Sequence, residues 1–190
     1  MEDGRTTKEE VDGEHYFIDG FDRSVQRPKC SEEQEETFSG KHGKNTVKHT
    51  CISDENSEIM YLGNMRMGSV HDKRMADEEE LNLPNESFLW KDLGYVGFLP
   101  KNVHSFEPHK KPRGGELTKL QKAENQAIAA VRIVVEHAIG GLKRCRIVKE
   151  ITRIYNYEIR DRVGETSAAL HNFRLRSRNG YKRNALFNPV

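Results

Sequence analysis

The sequence predicts an α/β domain in which a mixed central sheet is flanked by helices. Strand-like runs, rich in aromatic and β-branched residues and bounded by turn residues, fill roughly the first hundred positions. A long apolar helical pattern begins near Thr118, and a second helical pattern runs from about Tyr157 to Arg174. The predicted order is therefore strand, hairpin, short helix, strand, short strand and long helix, followed by a final helix.

The strands are predicted from local composition. Aromatic and β-branched residues before an acid and a glycine indicate the first strand. The cluster SDENS separates two further strand patterns and predicts a hairpin. The polar stretch 22–43, which contains Pro28 and a run of acids, is expected to be mostly loop. The predicted strands are 15–19, 45–52, 57–65, 87–91 and 103–107.

Three helices are predicted. Residues 72–81 can form a short helix that ends before Pro84; Asp72 is expected to cap its first turn, although His71 and Asp72 could also form a catalytic dyad. The long helix is expected to reach at least Ile139. The last helix carries residues at the spacing of one helix face, namely Ile159, Val163, Thr166, Leu170 and Phe173.

Length and composition indicate one domain with polar ends. The chain has 190 residues, of which 35% are hydrophobic and 32% charged, so it can bury a core while some segments must be loops or tails. The predicted domain covers 15–176, between a polar tail at 1–14 and a basic, flexible tail at 177–190. The sequence has no run of about 18 apolar residues, so no membrane span is expected. Three widely spaced cysteines are interpreted as reduced cytosolic thiols.

The net charge of +1 conceals a division of the chain. Residues 1–95 hold 12 Lys and Arg against 22 Asp and Glu, a net charge of −10, and residues 96–190 hold 19 against 8, a net charge of +11. A basic half of this kind suits DNA, because phosphate contacts by Lys and Arg supply most of the sequence-independent affinity. Attraction between the two halves within the fold explains part of the pattern.

The long helix carries an acid between two cations. Arg132, Glu136 and Lys143 lie along one face, while Val131, Val134, Val135, Ala138 and Leu142 can turn toward a core. On its own, an ordinary ion-pair face would be the better interpretation. Gly140 and Gly141 each cost roughly 1 kcal/mol relative to alanine in a helix, and a break there would remove Lys143 from this face.

Two more acids change that balance. Asp19 and Asp92 stand at the ends of predicted strands, and the fold would bring strand ends together with the long helix and Glu136. Three such acids are what a two-metal phosphoryl-transfer site needs, because carboxylates hold Mg²⁺ ions and neutralise them.

Short segments around these acids are more specific. Asp19 opens DGFDRSVQRP, Asp92 opens DLGYVG, and Glu136 lies in RIVVEHAIGGLKR, together with FSGKHGKNTVKH, GSVHDK, KKPRGGEL and LHNFRL. In this order they closely resemble the DDE-superfamily transposases of bacterial insertion sequences, the branch related to the eukaryotic Harbinger elements. The resemblance runs from about Tyr16 to Leu175, and it implies an RNase H-like fold.

The resemblance also implies roles for single residues. Asp19, Asp92 and Glu136 match the three catalytic, metal-binding acids. Arg132 and Lys143 match basic residues that contact DNA in related enzymes. Ala129 departs from the pattern, which has tyrosine there, and so do Phe21 and Asp22, where Thr-Glu is common.

The loop after the last predicted strand adds three basic residues. Lys110, Lys111 and Arg113 are expected to contact DNA because they precede the helix of the third acid, although a merely solvated loop is the alternative. The implied cofactors are two Mg²⁺ or Mn²⁺ ions. The implied partners are double-stranded DNA and a second copy of the chain, in the bacterial cytoplasm and at the nucleoid when DNA is bound.

Two functions remain open at this stage. The first is a catalytic domain that cleaves DNA at element ends and transfers the strand. The second is a truncated or domesticated relative that binds DNA without catalysis. No helix-turn-helix is legible before Asp19, so we expect the chain to lack the amino-terminal DNA-recognition segment of such enzymes.

Overall fold

A computed structural model of the chain describes residues 13–79 and 81–178, and at its centre is one mixed sheet. The strands are β1 (His15–Ser24), β2 (Phe38–Ser39), β3 (Lys44–Ser53), β4 (Ile59–Leu62), β5 (Arg66–Met67), β6 (Ser87–Trp90) and β7 (Val103–Phe106). The strand order is β2-β3-β1-β6-β7, and β4 and β5 also pair with β3. β1 is antiparallel to β3 and parallel to β6, and β6 is parallel to β7.

Helices cover both faces of this sheet. They are α1 (Ser31–Thr37), α2 (Asp72–Glu78), α3 (Lys119–Leu142), α4 (Arg146–Lys149) and α5 (Tyr157–Arg178), and one 3₁₀ turn spans Leu93–Tyr95. One buried apolar cluster joins the sheet to α3 and α5, and a second joins it to α2 and the 3₁₀ turn. The predicted α/β architecture is confirmed, and it agrees with the RNase H-like fold implied by the resemblance.

The alternation of β1 decides which residues face the long helix. Successive side chains of a strand point to opposite faces. Phe17 and Phe21 pack into the cluster beneath α3, whereas Tyr16 and Ile18 pack into the cluster beneath α2. Asp19 has the same parity as the two phenylalanines, which places it on the α3 side of the sheet.

The prediction of a mostly irregular stretch at 22–43 was wrong. β1 continues to Ser24, and α1 and β2 follow. Gln34 organises this segment: its Nε2 donates to the carbonyl of Pro28, its Oε1 accepts from Arg27, and its own carbonyl accepts from Asn45. These bonds join polar side chains to one another and to the backbone, so apolar periodicity does not reveal them.

The predicted hairpin is present but differs in length. β3 and β4 pair antiparallel, and Asp54 closes the turn by accepting hydrogen bonds from the amides of Asn56 and Glu58. β4 ends at Leu62, and the remainder of the predicted strand 57–65 leads instead into β5, which pairs with β3 near Lys48.

The long helix does not break at its glycines. Thr118 caps the helix through a capping box with Gln121, as its predicted start requires, and α3 runs on to Leu142. A Cβ at Gly141 would lie 2.1 Å from Nδ1 of His171 on α5. Glycine therefore allows the two helices to approach closely, and this packing offsets its helix-breaking tendency.

The last helix buries a different face from the apolar one in the sequence. Its buried residues are Arg160, Gly164, Ser167, Ala168 and His171. Leu170 and Phe173 are 53% and 66% exposed, and Ile159 is also exposed. Small side chains on the buried face let α5 lie close to the sheet and to α3. Val131 of α3 is likewise exposed, although its position allowed it to turn toward the core.

The predicted domain limits fall partly outside the described residues. α5 extends to Arg178, two residues into the predicted tail at 177–190, and residues 179–190 are not described. Residues 1–12 of the predicted amino-terminal tail are also outside this range. Among the described residues, none of the helices has the length and apolar character needed to span a bilayer.

A buried polar cluster lies between β1, β3 and α5. Nη1 of Arg23 donates to the carbonyl of Arg160 at 2.6 Å and lies 3.2 Å from Nε2 of His49. Since arginine only donates, His49 accepts at Nε2 and donates from Nδ1 to the carbonyl of Gly63 at 2.9 Å. Burial, helped by the charge of Arg23, lowers the pKa of His49 to about 4 despite the bond to Gly63.

We expect His49 to make the fold acid-sensitive. Its pKa is depressed in the folded chain, so its contribution to stability is complete above the unfolded value of 6.5 and is lost as the pH falls toward 4. Replacing His49 with Asn should reduce the loss of unfolding free energy over this window by on the order of 2 kcal/mol. Urea unfolding at pH 7 and at pH 5 measures this loss of unfolding free energy. The exposed His104→Asn serves as control, and an equal acid loss in His49→Asn and the parent protein would contradict the prediction.

Candidate active site

Strand register brings Asp19 and Asp92 to the same edge of the sheet. Phe17 of β1 is the register partner of Trp90 of β6 in a parallel pair. Asp19 lies two residues beyond Phe17, and Asp92 lies two residues beyond Trp90. In such sheets, ligands bind beyond the carboxyl ends of the parallel strands. The pairing of β1 with β6 therefore accounts for the predicted proximity of these two acids.

Arg132 of α3 bridges the two aspartates. Its Nη2 lies 3.2 Å from Oδ2 of Asp19, and its Nη1 lies 3.4 Å from Oδ1 of Asp92. The residue is only 7% exposed. Nε and Nη2 lack an aligned hydrogen-bond acceptor, so the contact is mainly a charge interaction. Arg132 is thus engaged in the site, and its contact with DNA stays a prediction.

Asp19 is the more enclosed of the two acids. Its Oδ1 accepts a hydrogen bond from the amide of Gly20 at 2.7 Å. Burial raises the pKa of Asp19, and the nearby charge of Asp92 adds to this effect. Arg132, the Gly20 amide and Lys41 act in the opposite direction. A positive charge at this place therefore stabilises the ionised form.

Glu136 occupies a different position from the pair. It follows Arg132 by one turn of α3, is exposed, and makes no hydrogen bond or ion pair with any described residue. It lines a cavity of about 560 Å³ between α3 and α5, together with His137 and His171. Within 13–79 and 81–178, no three His, Cys, Asp or Glu side chains are grouped as metal ligands. The convergence of Glu136 with Asp19 and Asp92 stays a prediction.

Asp72 does not cap α2 and forms no dyad with His71. His71 occupies the N-cap position without a side-chain bond, and Asp72 is the first helical residue. Its Oδ1 accepts from Nζ of Lys48 on β3 at 2.8 Å. This ion pair was not predicted from the sequence, although Asp72 lies in GSVHDK, one of the segments that carry the family resemblance.

Lys91 is a second contact that the sequence did not reveal. Its buried Nζ donates to the carbonyl of Phe98 at 2.5 Å and lies 2.8 Å from Oε2 of Glu107. Glu107 also accepts from the amide of Gly97. These bonds fix the chain directly after Asp92.

The other basic residues lie apart from the acids. Nζ of Lys143 lies 5.9 Å from the centre of the Phe21 ring, at the end of α3. Lys110, Lys111 and Arg113 are exposed on the loop before α3, where Lys111 lies 4.0 Å from Glu116. Their contact with DNA stays a prediction.

Known proteins resemble most of the chain. The family described as DDE superfamily endonuclease matches residues 18–172. A probable transposase for insertion sequence element IS702 of Microchaete diplosiphon is 33% identical over 158 residues, 75% of this chain and 56% of that protein. The chain thus spans about half the length of this curated relative. No solved structure matches.

In the absence of added metal, replacing Arg132 with Met should destabilise the fold. Asp19 and Asp92 would lose the charge between them, so we expect the free energy of unfolding to fall by about 1–3 kcal/mol, a value reduced for their partial exposure. The pKa of Asp19 should rise further, as a carboxyl ¹³C titration would show. Arg144→Met, at an exposed arginine, is the matched control. An unchanged Asp19 titration would show that the guanidinium does not act on this carboxylate.

Proposed function

Since the chain belongs to the DDE superfamily of endonucleases, we propose that it is the catalytic part of a DNA transposase, with Asp19, Asp92 and Glu136 as its catalytic residues. The observation that carries this proposal is the meeting of Asp19 and Asp92 at one sheet edge, against the helix that bears Glu136. Acids in this arrangement suit phosphoryl transfer, because they hold the cations that neutralise the phosphate.

The donor chemistry of the aspartate pair fits two Mg²⁺ or Mn²⁺ ions. Both ions prefer hard carboxylate oxygens, and Arg132 marks a place between the aspartates where positive charge is favourable. Glu136, one helical turn farther along, would complete the ligand set. When bound, the metal lowers the pKa of the attacking water and stabilises charge on the phosphate.

The proposed reaction has two displacements at phosphorus. Water attacks the phosphodiester at an element end and the bond to the 3′-oxygen breaks, which frees a 3′-hydroxyl. The oxygen of that hydroxyl then attacks a target phosphodiester and forms a new bond to its phosphorus, while the bond from this phosphorus to the target 3′-oxygen breaks and that oxygen leaves with the proton. With cations held by Asp19 and Asp92, the side chain of Arg132 would be free to contact the phosphate. The partner is double-stranded DNA, bound by a homodimer in the cytoplasm and at the nucleoid.

A second candidate function is DNA binding without catalysis. Two observations favour it: Arg132 already pairs with both Asp19 and Asp92, and Glu136 makes no ion pair or hydrogen bond with them among the described residues. In such a relic the three acids would be structural remnants and the basic half would still bind DNA. Cleavage of a plasmid that bears candidate element ends, with and without divalent metal, separates the two functions.

Replacing Glu136 with Gln should abolish cleavage and spare binding. The change keeps size and helix propensity but removes the charge that holds a metal, so strand cleavage should fall on the order of a thousandfold while DNA affinity persists. Plasmid nicking and fluorescence anisotropy measure the two properties. Glu165→Gln, at an exposed acid of α5, is the control. Parental cleavage by Glu136→Gln would remove this residue from the metal site.

The loop before α3 should act on binding alone. Replacing Lys110, Lys111 and Arg113 together with Ala should weaken DNA binding and make its dependence on salt less steep, since each lost phosphate contact reduces counterion release by about one ion. Anisotropy titrations at several salt concentrations measure the slope. Lys149→Ala, at another exposed lysine of the basic half, should change it less. An unchanged slope in the triple variant would mean that the loop is only solvated.

A further inference from the structure

The ion pair between Lys48 and Asp72 is largely shielded from solvent. Lys48 is 8% exposed, and its Nζ lies 2.8 Å from Oδ1 of Asp72. Both residues line a cavity of about 470 Å³ that reaches Asp92. A shielded pair interacts more strongly than a surface pair because water screens it less.

The carboxylate of Asp72 lies between two acid-bearing segments, the part of β1 that holds Asp19 and the loop that follows Asp92. A Cβ at Gly20, directly after Asp19, would lie 3.5 Å from Oδ1 of Asp72. A Cβ at Gly94, two residues after Asp92, would lie 2.8 Å from Oδ2. Both segments thus approach the same carboxylate; a side chain at Gly94 would collide with it, whereas one at Gly20 would make an ordinary contact. Glycine at position 94 lets the loop after Asp92 close on this carboxylate.

The charge of Asp72 also acts on the buried residue Tyr95. Its hydroxyl is buried and has no hydrogen-bond partner among residues 13–79 and 81–178. Burial raises the pKa of Tyr95 well above its usual value, and the charges of Asp72 and Asp19 add to this effect. Asp72 therefore lies near both the backbone and the charge of the aspartate pair.

We propose that the Lys48–Asp72 pair is a positioning element of the active site, which holds the two acid-bearing segments together and keeps the charge beside Asp19 and Asp92 near zero. This inference rests on the proposed function, since it concerns the cation affinity of the same aspartates. Lys48 and Asp72 need not contact the substrate. They act by holding the two acid-bearing segments in place and through the electric field at Asp19 and Asp92.

The charge balance has consequences of opposite sign. Replacing Asp72 with Asn leaves the ammonium of Lys48 near the aspartates, which opposes cation binding. Replacing Lys48 with Met leaves the carboxylate of Asp72 there, which favours it. A double replacement restores the original net charge. A pair that served only to stabilise the fold would weaken cation binding in either single variant.

The first measurement is Mn²⁺ affinity of the full chain by calorimetric titration. We expect Asp72→Asn to weaken binding and Lys48→Met to strengthen it, each on the order of tenfold, with the double variant close to the parent protein. The controls are Asp77→Asn and Lys73→Met, which break the exposed pair of α2 at 2.5 Å. Single variants that shift affinity in the same direction would overturn the charge-balancing role.

The second measurement needs no metal. The amide of Gly20 donates to Oδ1 of Asp19, and the amide of Tyr95 donates to the carbonyl of Asp92. Each amide therefore reports on one of the two acid-bearing segments. In Asp72→Asn both should exchange hydrogen several times faster, while α5 amides keep their rates and so show that the variant is folded. Unchanged exchange at both amides would overturn the positioning role. A parent protein that binds no Mn²⁺ would instead contradict the proposed function. Amide exchange would still decide whether the Lys48–Asp72 pair positions the two acid-bearing segments.

Discussion

Two carboxylates at one sheet edge repel each other, and much of the surrounding structure compensates for that repulsion. The parallel pairing of β1 with β6 forces Asp19 and Asp92 together, and burial adds to the cost of the charge on Asp19. Arg132 supplies an opposite charge from α3, and the amide of Gly20 supplies a hydrogen bond. Lys48 balances the further charge of Asp72. The position of α3 over the sheet is thus an electrostatic requirement as well as a matter of apolar packing.

That position depends on close contacts at several points along α3. Its first turn is fixed by the capping box of Thr118, the carbonyl of Val134 accepts from the hydroxyl of Ser57, and Gly141 lies against His171. Only a glycine permits the last contact, and only small residues on α5 permit that helix to approach. The exposed Leu170 and Phe173 are the consequence, because α5 turns its small side chains toward the protein.

The sequence allowed the meeting of the two aspartates and the long helix to be predicted, since Asp19 and Asp92 each follow an apolar strand-like run and α3 has a clear helical period. Three features were beyond such reasoning. Periodicity assigned Arg132 to a helix face but does not tell that its side chain reaches two aspartates. Asp72 resembled a cap because its partner, Lys48, is 24 positions away. Gln34 organises a polar segment through bonds that leave no local pattern. Each depends on contacts between distant parts of the chain, which tertiary structure alone decides.

The same helix carries the charge that neutralises the aspartates and the acid proposed to join them. Arg132 and Glu136 are one turn apart, so a shift of α3 that withdrew the guanidinium would also move Glu136. The contacts of Ser57 and His171 with α3 oppose such a shift. In the proposed function, exchange of the guanidinium for cations would therefore require rotation of side chains on a fixed helix. Arginine suits this task, because its long side chain can swing from the carboxylates to a phosphate without backbone movement, and its planar group binds either one.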